Sequence, residues 1–545
     1  MTQMTGGKAI VKSLILNGID TLFCIPGKEL DQFFVALYDE REAIRVIANR
    51  HEQGCGYMAF GYAQSTGRVG AYAVVPGPGF LNASAALCTA YAGNAPVLCV
   101  TGQVPSKQIG RGAGAHHEIN DQLGIMRNLT KFATRIEHPA LAPEAVEQAF
   151  RALSSGRRKP AGIEMAPDIL AMSAPVTLRA PVPAPAPVEP DPELVDQAAA
   201  LLGEAQNPII VAGGGIFGAE EALLAVAETV QAPVSMSRNA KGAVSFRHYL
   251  GVPETVGHKL WPDVDVVLAV GTRLDDQYKR WGIGKEVKVI RVDVDPAELE
   301  RNGKPAVGLL ADAKLTLVAL ANALGRHNRK RPSRKEALEG LKVQLQKEYD
   351  HLSPQIDYIK VIRAELPDDG IFVGEATQIA YAARVAMPFY LPRTFITPGY
   401  QGTLGYGFTT ALGAKVGNPD KQVISITGDG GFLFGASELA TAVQHRIATV
   451  TLVFNNNAYG NVKREQIEKY GGRVIATDLK NPDFVKLAEA YGAQGLRAET
   501  PEALAKAIRR GFDHDGPTII EIPVPDDMPS PWHLIDMPKA GKGKH

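Results

Sequence analysis

Short runs of apolar, largely β-branched residues alternate with longer stretches of helical spacing along the whole chain. Residues 44–48, 71–75 and 97–101 read as strands in the first third, and 209–212, 266–270 and 287–292 in the middle. In the last third the same reading falls on 371–373, 423–427, 450–454 and 518–522. Unbroken apolar runs of this length suit strands covered on both faces, with helices as the crossovers between them. The pattern therefore predicts an α/β protein of three doubly wound domains with mainly parallel sheets. None of the runs approaches the ~20 apolar residues that a membrane-spanning helix needs.

The rhythm is interrupted twice. Residues 174–192 read APVTLRAPVPAPAPVEPDP, and seven prolines in nineteen residues predict a stiff, extended linker rather than a helix or central strand. A basic, polar stretch, RHNRKRPSRK at 326–335, precedes a charged helical segment. The predicted division is a first domain at 1–173, the linker at 174–192, a central domain at 193–325, a linker and helix at 326–354, a third domain at 355–528 and a tail at 529–545.

Composition narrows the function classes. The 545 residues carry 58 Lys+Arg against 58 Asp+Glu, and no basic run is interleaved with aromatics, so neither nucleic acid nor another polyanion is the expected partner. Cys24, Cys55, Cys88 and Cys99 have neither zinc-ligand nor redox-pair spacing, and they sit among small or apolar neighbours. They read as buried free thiols in a reducing compartment. The first residues lack the apolar block of a signal peptide, and the expected location is the cytoplasm.

Chemistry enters where strands end. The strand at 423–427 runs into Gly428-Asp429-Gly430-Gly431, and the strand at 450–454 ends in Asn455-Asn456-Asn457-Ala458-Tyr459-Gly460. Two strand ends thus present a carboxylate and an amide, hard oxygen ligands of the kind Mg²⁺ takes together with phosphate oxygens. Asp429, Asn456 and the Ala458 carbonyl are the candidate metal ligands. Gly428, Gly430, Gly431, Tyr459 and Gly460 lie where backbone N–H groups can approach a diphosphate beside a helix start. Each motif alone is an ordinary turn. Twenty-four residues lie between Gly430 and Asn455, and the joint occurrence at that spacing matches the thiamine-diphosphate signature.

Further motifs extend the match. The sequence RHEQG at 50–54, Gly77-Pro78-Gly79 with Asn82, TGQVP at 101–105, GTRLDD at 271–276 and VDVDP at 292–296 together resemble the catalytic subunit of acetohydroxyacid (acetolactate) synthase. The resemblance spans nearly the whole chain. It implies pyrimidine-binding, central and diphosphate-binding domains, thiamine diphosphate with Mg²⁺, and a homodimer or homotetramer with active sites between subunits. Within it, Glu52 takes the place of the carboxylate that activates the aminopyrimidine, so that the reactive carbon loses its proton. Leu404 takes the place of the residue that bends the cofactor, and Gly402 offers its carbonyl to the aminopyrimidine. Pro26, Gly77, Asn82 and Gln378 complete the cofactor-binding set, and Gln103 joins the catalytic one.

Departures from the family limit what the resemblance implies about substrate. Where the synthases carry Phe-Gln-Glu, this chain has His116-His117-Glu118. Adjacent histidines occur near this place in pyruvate-decarboxylase-type enzymes, and imidazole moves protons near neutral pH. Val462 stands where those decarboxylases have a glutamate, and Glu465 where the biosynthetic synthases have a tryptophan. The central domain has Gly213-Gly214-Gly215 but reads Leu250-Gly-Val-Pro253 at the flavin-side element, leaving FAD, ADP or no nucleotide open. The expected reaction is decarboxylation of a 2-oxo acid with carboligation to a second carbonyl, chosen because Val462 removes the decarboxylase acid. The alternatives are a simple 2-oxo-acid decarboxylase releasing an aldehyde and an acetyltransferase or acyl-CoA lyase of the same superfamily. A catalytically silent cofactor-binding subunit is the alternative of another class, and intact Glu52, Asp429 and Asn456 argue against it.

Overall fold

The computed structural model describes residues 1–540. They form three six-stranded sheets and one two-stranded ribbon, distributed over two compact units.

The first unit comprises Met1–Pro185, Ile371–Ala376 and Ile396–Val524. Its N-terminal sheet runs, in spatial order, Arg45–Ala48, Thr21–Cys24, Gly70–Val74, Val97–Gly102, Ala161–Met165 and Phe132–Ile136, all parallel. Its C-terminal sheet holds Ile371–Gly374, Val423–Gly428, Val450–Asn455, Thr518–Pro523 and Gln494–Arg497 as parallel neighbours, with the two-residue strand Phe395–Ile396 at its edge. The strands at 423–428 and 450–455 are buried at every position but the last, as continuous apolar runs covered on both faces should be.

These two sheets share one hydrophobic core, and small residues make the joint possible. The helix Glu52–Thr66 packs on the helix Gly407–Gly417 almost backbone to backbone. A methyl added at Gly61 would lie 2.0 Å from the Thr410 carbonyl oxygen, and one at Gly413 would lie 1.9 Å from that of Met58. Either would force the helices apart, the kind of overpacking that costs roughly 1–3 kcal/mol or more. At the start of the proline-rich segment, Ser173–Val176 pairs antiparallel with Thr2–Thr5, and regular structure resumes only with the helix Pro192–Glu204.

The second unit comprises Ala186–Gly370, Thr377–Phe395 and the described residues from Pro525 onward. Its sheet runs Gly251–Pro253, Val234–Met236, Pro208–Ala212, Val266–Val270, Lys288–Asp293 and Val307–Leu310, again parallel. Among the described residues no helix is long and apolar enough to cross a membrane. Cys24, Cys55 and Cys99 are buried and Cys88 is half-buried, all four as free thiols.

Candidate active site

The candidate residues of the first unit gather where loops leave the carboxyl ends of its two sheets, as parallel topology requires. In the C-terminal sheet, Gly428 ends its strand and Asp429 opens the short helix Asp429–Gly435. The next strand ends at Asn455, and Tyr459 caps the helix Gly460–Lys469. Asp429 is 2% exposed, and burial pushes its carboxyl above the ordinary value against the pull of its hydrogen bonds. Its Oδ2 accepts from the Ala458 N–H at 3.2 Å and from Nδ2 of Asn481 at 2.6 Å. A desolvated carboxylate faced by neutral N–H groups calls for a cation, and the oxygens of Asp429, Asn456 and the Ala458 carbonyl are the donors a hard divalent ion takes. Glycine is required beside them: a methyl at Gly430 would meet the Tyr459 ring at 2.5 Å, and one at Gly431 would meet Glu375 Oε1 at 2.2 Å. Asn456 packs under the helix start, its Nδ2 lying 2.5 Å from where a Gly460 methyl would be. The oxygen donors present therefore fit a hard divalent ion such as Mg²⁺.

Leu404 lies half-buried in a tightly held turn between Gly402 (φ +58°) and Gly405 (φ +80°). The brace is Glu375, whose carboxylate accepts from Gly405 N–H at 2.5 Å, Gly407 N–H at 3.0 Å and Thr427 Oγ1 at 2.9 Å. Burial raises this carboxyl from its ordinary value to about 7. The hydroxyls of Thr403 and Thr89 lie 2.9 Å apart, which ties the same turn to the helix Pro78–Ala92. Gln378 opens the helix Gln378–Ala386, which belongs to the second unit.

In the N-terminal sheet, Glu52 opens its helix behind the cap His51, and its Oε2 accepts from Asn82 Nδ2 at 3.0 Å. These two sequence candidates are thus in contact. Gly77 (φ +57°) has no room for a side chain, since a methyl would lie 2.3 Å from the His117 carbonyl oxygen. Its N–H donates to Gln122 Oε1 at 2.8 Å. Gln103 is drawn into the interior, its Nε2 directed to the buried Glu164 at 3.3–3.4 Å. Glu164 also takes Gln122 Nε2 at 2.8 Å and Arg135 Nε at 2.6 Å. Pro26 is exposed after the strand Thr21–Cys24.

The structure adds a residue that sequence reasoning missed. Glu29, buried just beyond Pro26-Gly27, meets both candidate histidines: Oε1 is 2.8 Å from His116 Nδ1 and Oε2 is 3.2 Å from His117 Nδ1. Burial acts to raise this carboxyl, but the His116 hydrogen bond and the charges of His117 and His116 outweigh it and hold it below its ordinary value. The imidazole rings lie 3.8 Å apart, and His117 adopts φ +64°, a left-handed conformation uncommon for a non-glycine residue and often met at functional sites. His116 is 69% exposed at its side chain and His117 23%, so the group leads from solvent inward.

In the second unit the glycine run has a packing explanation. Methyls at Gly213 and Gly215 would collide with Gly271 at 2.2 and 2.8 Å, so two loops interlock through their backbones.

The chain matches, in order, the N-terminal TPP binding domain of thiamine pyrophosphate enzymes over residues 4–125, their central domain over 195–320 and their C-terminal TPP binding domain over 374–522. It is 34% identical over 532 residues to a probable 2-ketoarginine decarboxylase of Pseudomonas aeruginosa, covering 95% of this chain and 94% of that one. It is 33% identical to a probable acetolactate synthase large subunit of Methanocaldococcus jannaschii, with 95% and 92% covered. The acetolactate synthase large subunit of Corynebacterium glutamicum is 32% identical, with 98% and 88% covered.

Proposed function

Because the chain belongs to the thiamine pyrophosphate enzymes, as an acetolactate-synthase-like member that makes or breaks carbon–carbon bonds, we propose that it decarboxylates a 2-oxo acid and releases the product as an aldehyde. The observation that carries this reading is the cluster of Glu29, His116 and His117. Thiamine diphosphate, when bound, supplies the carbon nucleophile and the electron sink for loss of CO₂. The chain's own residues hold it and manage protons. Asp429, Asn456 and the Ala458 carbonyl would hold Mg²⁺, and Glu52, held by Asn82 at 3.0 Å, would be the carboxylate that handles a proton toward the aminopyrimidine.

Aldehyde release needs one proton delivered to carbon after CO₂ departs. Glu29 pairs with both imidazoles at 2.8 and 3.2 Å, and the exposed His116 is open to water while His117 lies deeper. This ranks protonation above the carboligation expected from sequence. Val462 removes one acid but leaves this one in place.

Carboligation is the second reading. It is favoured by Val462, which stands 50% exposed on the helix Gly460–Lys469 with no carboxylate at that position. The relatives named acetolactate synthases point the same way. Assembly as a homodimer or homotetramer, with each site between subunits, belongs to the same proposal.

The test is to incubate Mg²⁺- and cofactor-loaded protein with a panel of 2-oxo acids bearing apolar, acidic and cationic side chains. Cationic ones are included because one relative is named for 2-ketoarginine. Aldehyde formed in step with CO₂ supports the proposal, and 2-hydroxyketone as the main product selects the second reading.

A further inference from the structure

Glu438 lies in the C-terminal part of the first unit, in the turn Ala436–Glu438 that follows the helix Asp429–Gly435. It is 1% exposed, yet its carboxylate is engaged by the N-terminal part of the chain. Oε1 accepts from the backbone N–H groups of Arg50 at 3.0 Å and His51 at 2.9 Å. Oε2 accepts from Asn49 Nδ2 at 3.1 Å and from Thr441 Oγ1 at 2.5 Å. Gly54 closes the other side, where a methyl would lie 2.3 Å from Oε1. A buried carboxylate is costly unless its lone pairs are filled, and four donors converge here. Their placement matters more than their number. Asn49, Arg50 and His51 form the turn directly before Glu52, and His51 caps the helix that Glu52 opens.

We propose that Glu438 is a positioning residue for Glu52, setting where its carboxylate stands and tying that position to the segment that begins with Asp429. The inference rests on the reading of Glu52 as the activating carboxylate. Glu438 touches neither cofactor nor reacting atoms in this account. It fixes the two backbone N–H groups immediately ahead of Glu52, while Asn82 fixes the side chain. Asp429 and Glu438 belong to consecutive short helical segments, so the brace on the turn before Glu52 comes from the segment next to the candidate cation site. Displacement of a reacting group by about 1 Å costs on the order of 100-fold in rate, so loss of the brace should be visible in proton exchange.

The experiment measures hydrogen–deuterium exchange at the cofactor's reactive carbon by rapid quench and NMR, per mole bound, in wild type and in Glu438→Gln, Glu438→Asp and Glu52→Gln. Calorimetry gives Mg²⁺ and thiamine diphosphate affinities for the same proteins. Asp keeps the charge but is too short to reach all four donors, and Gln keeps the length but places an N–H₂ against Asn49 or the backbone. Exchange slowed about 10- to 100-fold in both Glu438 variants, with affinities within about threefold of wild type, is the expected result. Wild-type exchange in both Glu438 variants, while Glu52→Gln is slow, overturns the positioning role alone. Affinity lost with exchange per bound cofactor unchanged also overturns it, since the brace would then serve only the fold. Fast exchange in Glu52→Gln overturns the underlying reading of Glu52.

Discussion

The side-chain amide of Asn481 reaches the carboxylate of Asp429: Nδ2 lies 2.6 Å from Oδ2, and the same nitrogen is 3.0 Å from Asn455 Oδ1 and 3.3 Å from Asn457 Oδ1. Three oxygens around one atom identify it as the nitrogen of the amide. The segment that carries Asn481 is also held by backbone bonds, Tyr459 N–H to the Thr477 carbonyl at 2.8 Å and Leu479 N–H to the Asn457 carbonyl at 2.7 Å. Residues that orient a metal ligand typically contribute about 10- to 100-fold to metal affinity. Asn481→Ala is accordingly expected to raise the Mg²⁺ requirement for cofactor binding by about 10-fold. Asp429→Ala, which removes a ligand itself, should raise it further. Calorimetric titration of Mg²⁺ at fixed cofactor checks both. An unchanged requirement in Asp429→Ala contradicts the cation clamp.

Glu52→Gln should bind thiamine diphosphate with near wild-type affinity and slow exchange at its reactive carbon by about 100- to 10,000-fold. The contact with Asn82 survives in part, because a glutamine oxygen can still accept from Nδ2. Quenched-flow exchange together with calorimetry separates the two effects. Equal exchange rates count against the assignment.

Glu375 gives the fold a specific pH dependence. Burial lifts its carboxyl from the ordinary 4.5 to about 7. Between those values the folded protein holds a proton that the unfolded chain has released. Stability from this group is therefore full below pH 4.5, falls as pH rises through the window, and is lost above about 7. The shift corresponds to roughly 3 kcal/mol. Glu375→Gln is neutral throughout and lacks this slope, so its unfolding midpoint should rise relative to wild type between pH 5 and pH 8. Denaturant titrations at the two pH values measure the gap, and a gap that stays constant or moves in the other direction rules the explanation out.

What could be read in the sequence, and what could not, divides by distance along the chain. The strand at 423–428 was legible because both faces are buried and its apolar run is unbroken, and the turn after it because Gly-Asp-Gly is local. Glu52 and Asn82 were found separately by motif, but only the fold shows their contact across 30 positions. Glu29 was invisible because it lies 87 positions from His116 in an unremarkable Lys-Glu-Leu turn. Asn481 and Glu438, 52 positions from Asp429 and 387 from His51, left no local signal either. A lone Asn or Glu has no periodicity, and only topology selects its partner. Gln103 was nominated for the site by motif, and the Glu164 and Arg135 network that draws it inward comes from two later strands.

The Glu29–His116–His117 group is the part of the account most exposed to test, because it decides between aldehyde and hydroxyketone. His117→Phe keeps a planar ring but removes Nδ1 and its contact with Glu29, and Glu29→Gln removes the charge that holds both imidazoles. Neither residue belongs to the cation clamp, so cofactor affinity is expected to stay within about threefold of wild type for both variants. The decisive measurement is the ratio of aldehyde to 2-hydroxyketone formed from one 2-oxo acid by wild type and His117→Phe across pH 5.5 to 8.5. The account predicts mainly aldehyde from wild type and a fall in aldehyde share of about 10-fold or more in the variant. An identical product ratio and pH profile in the two proteins would contradict it.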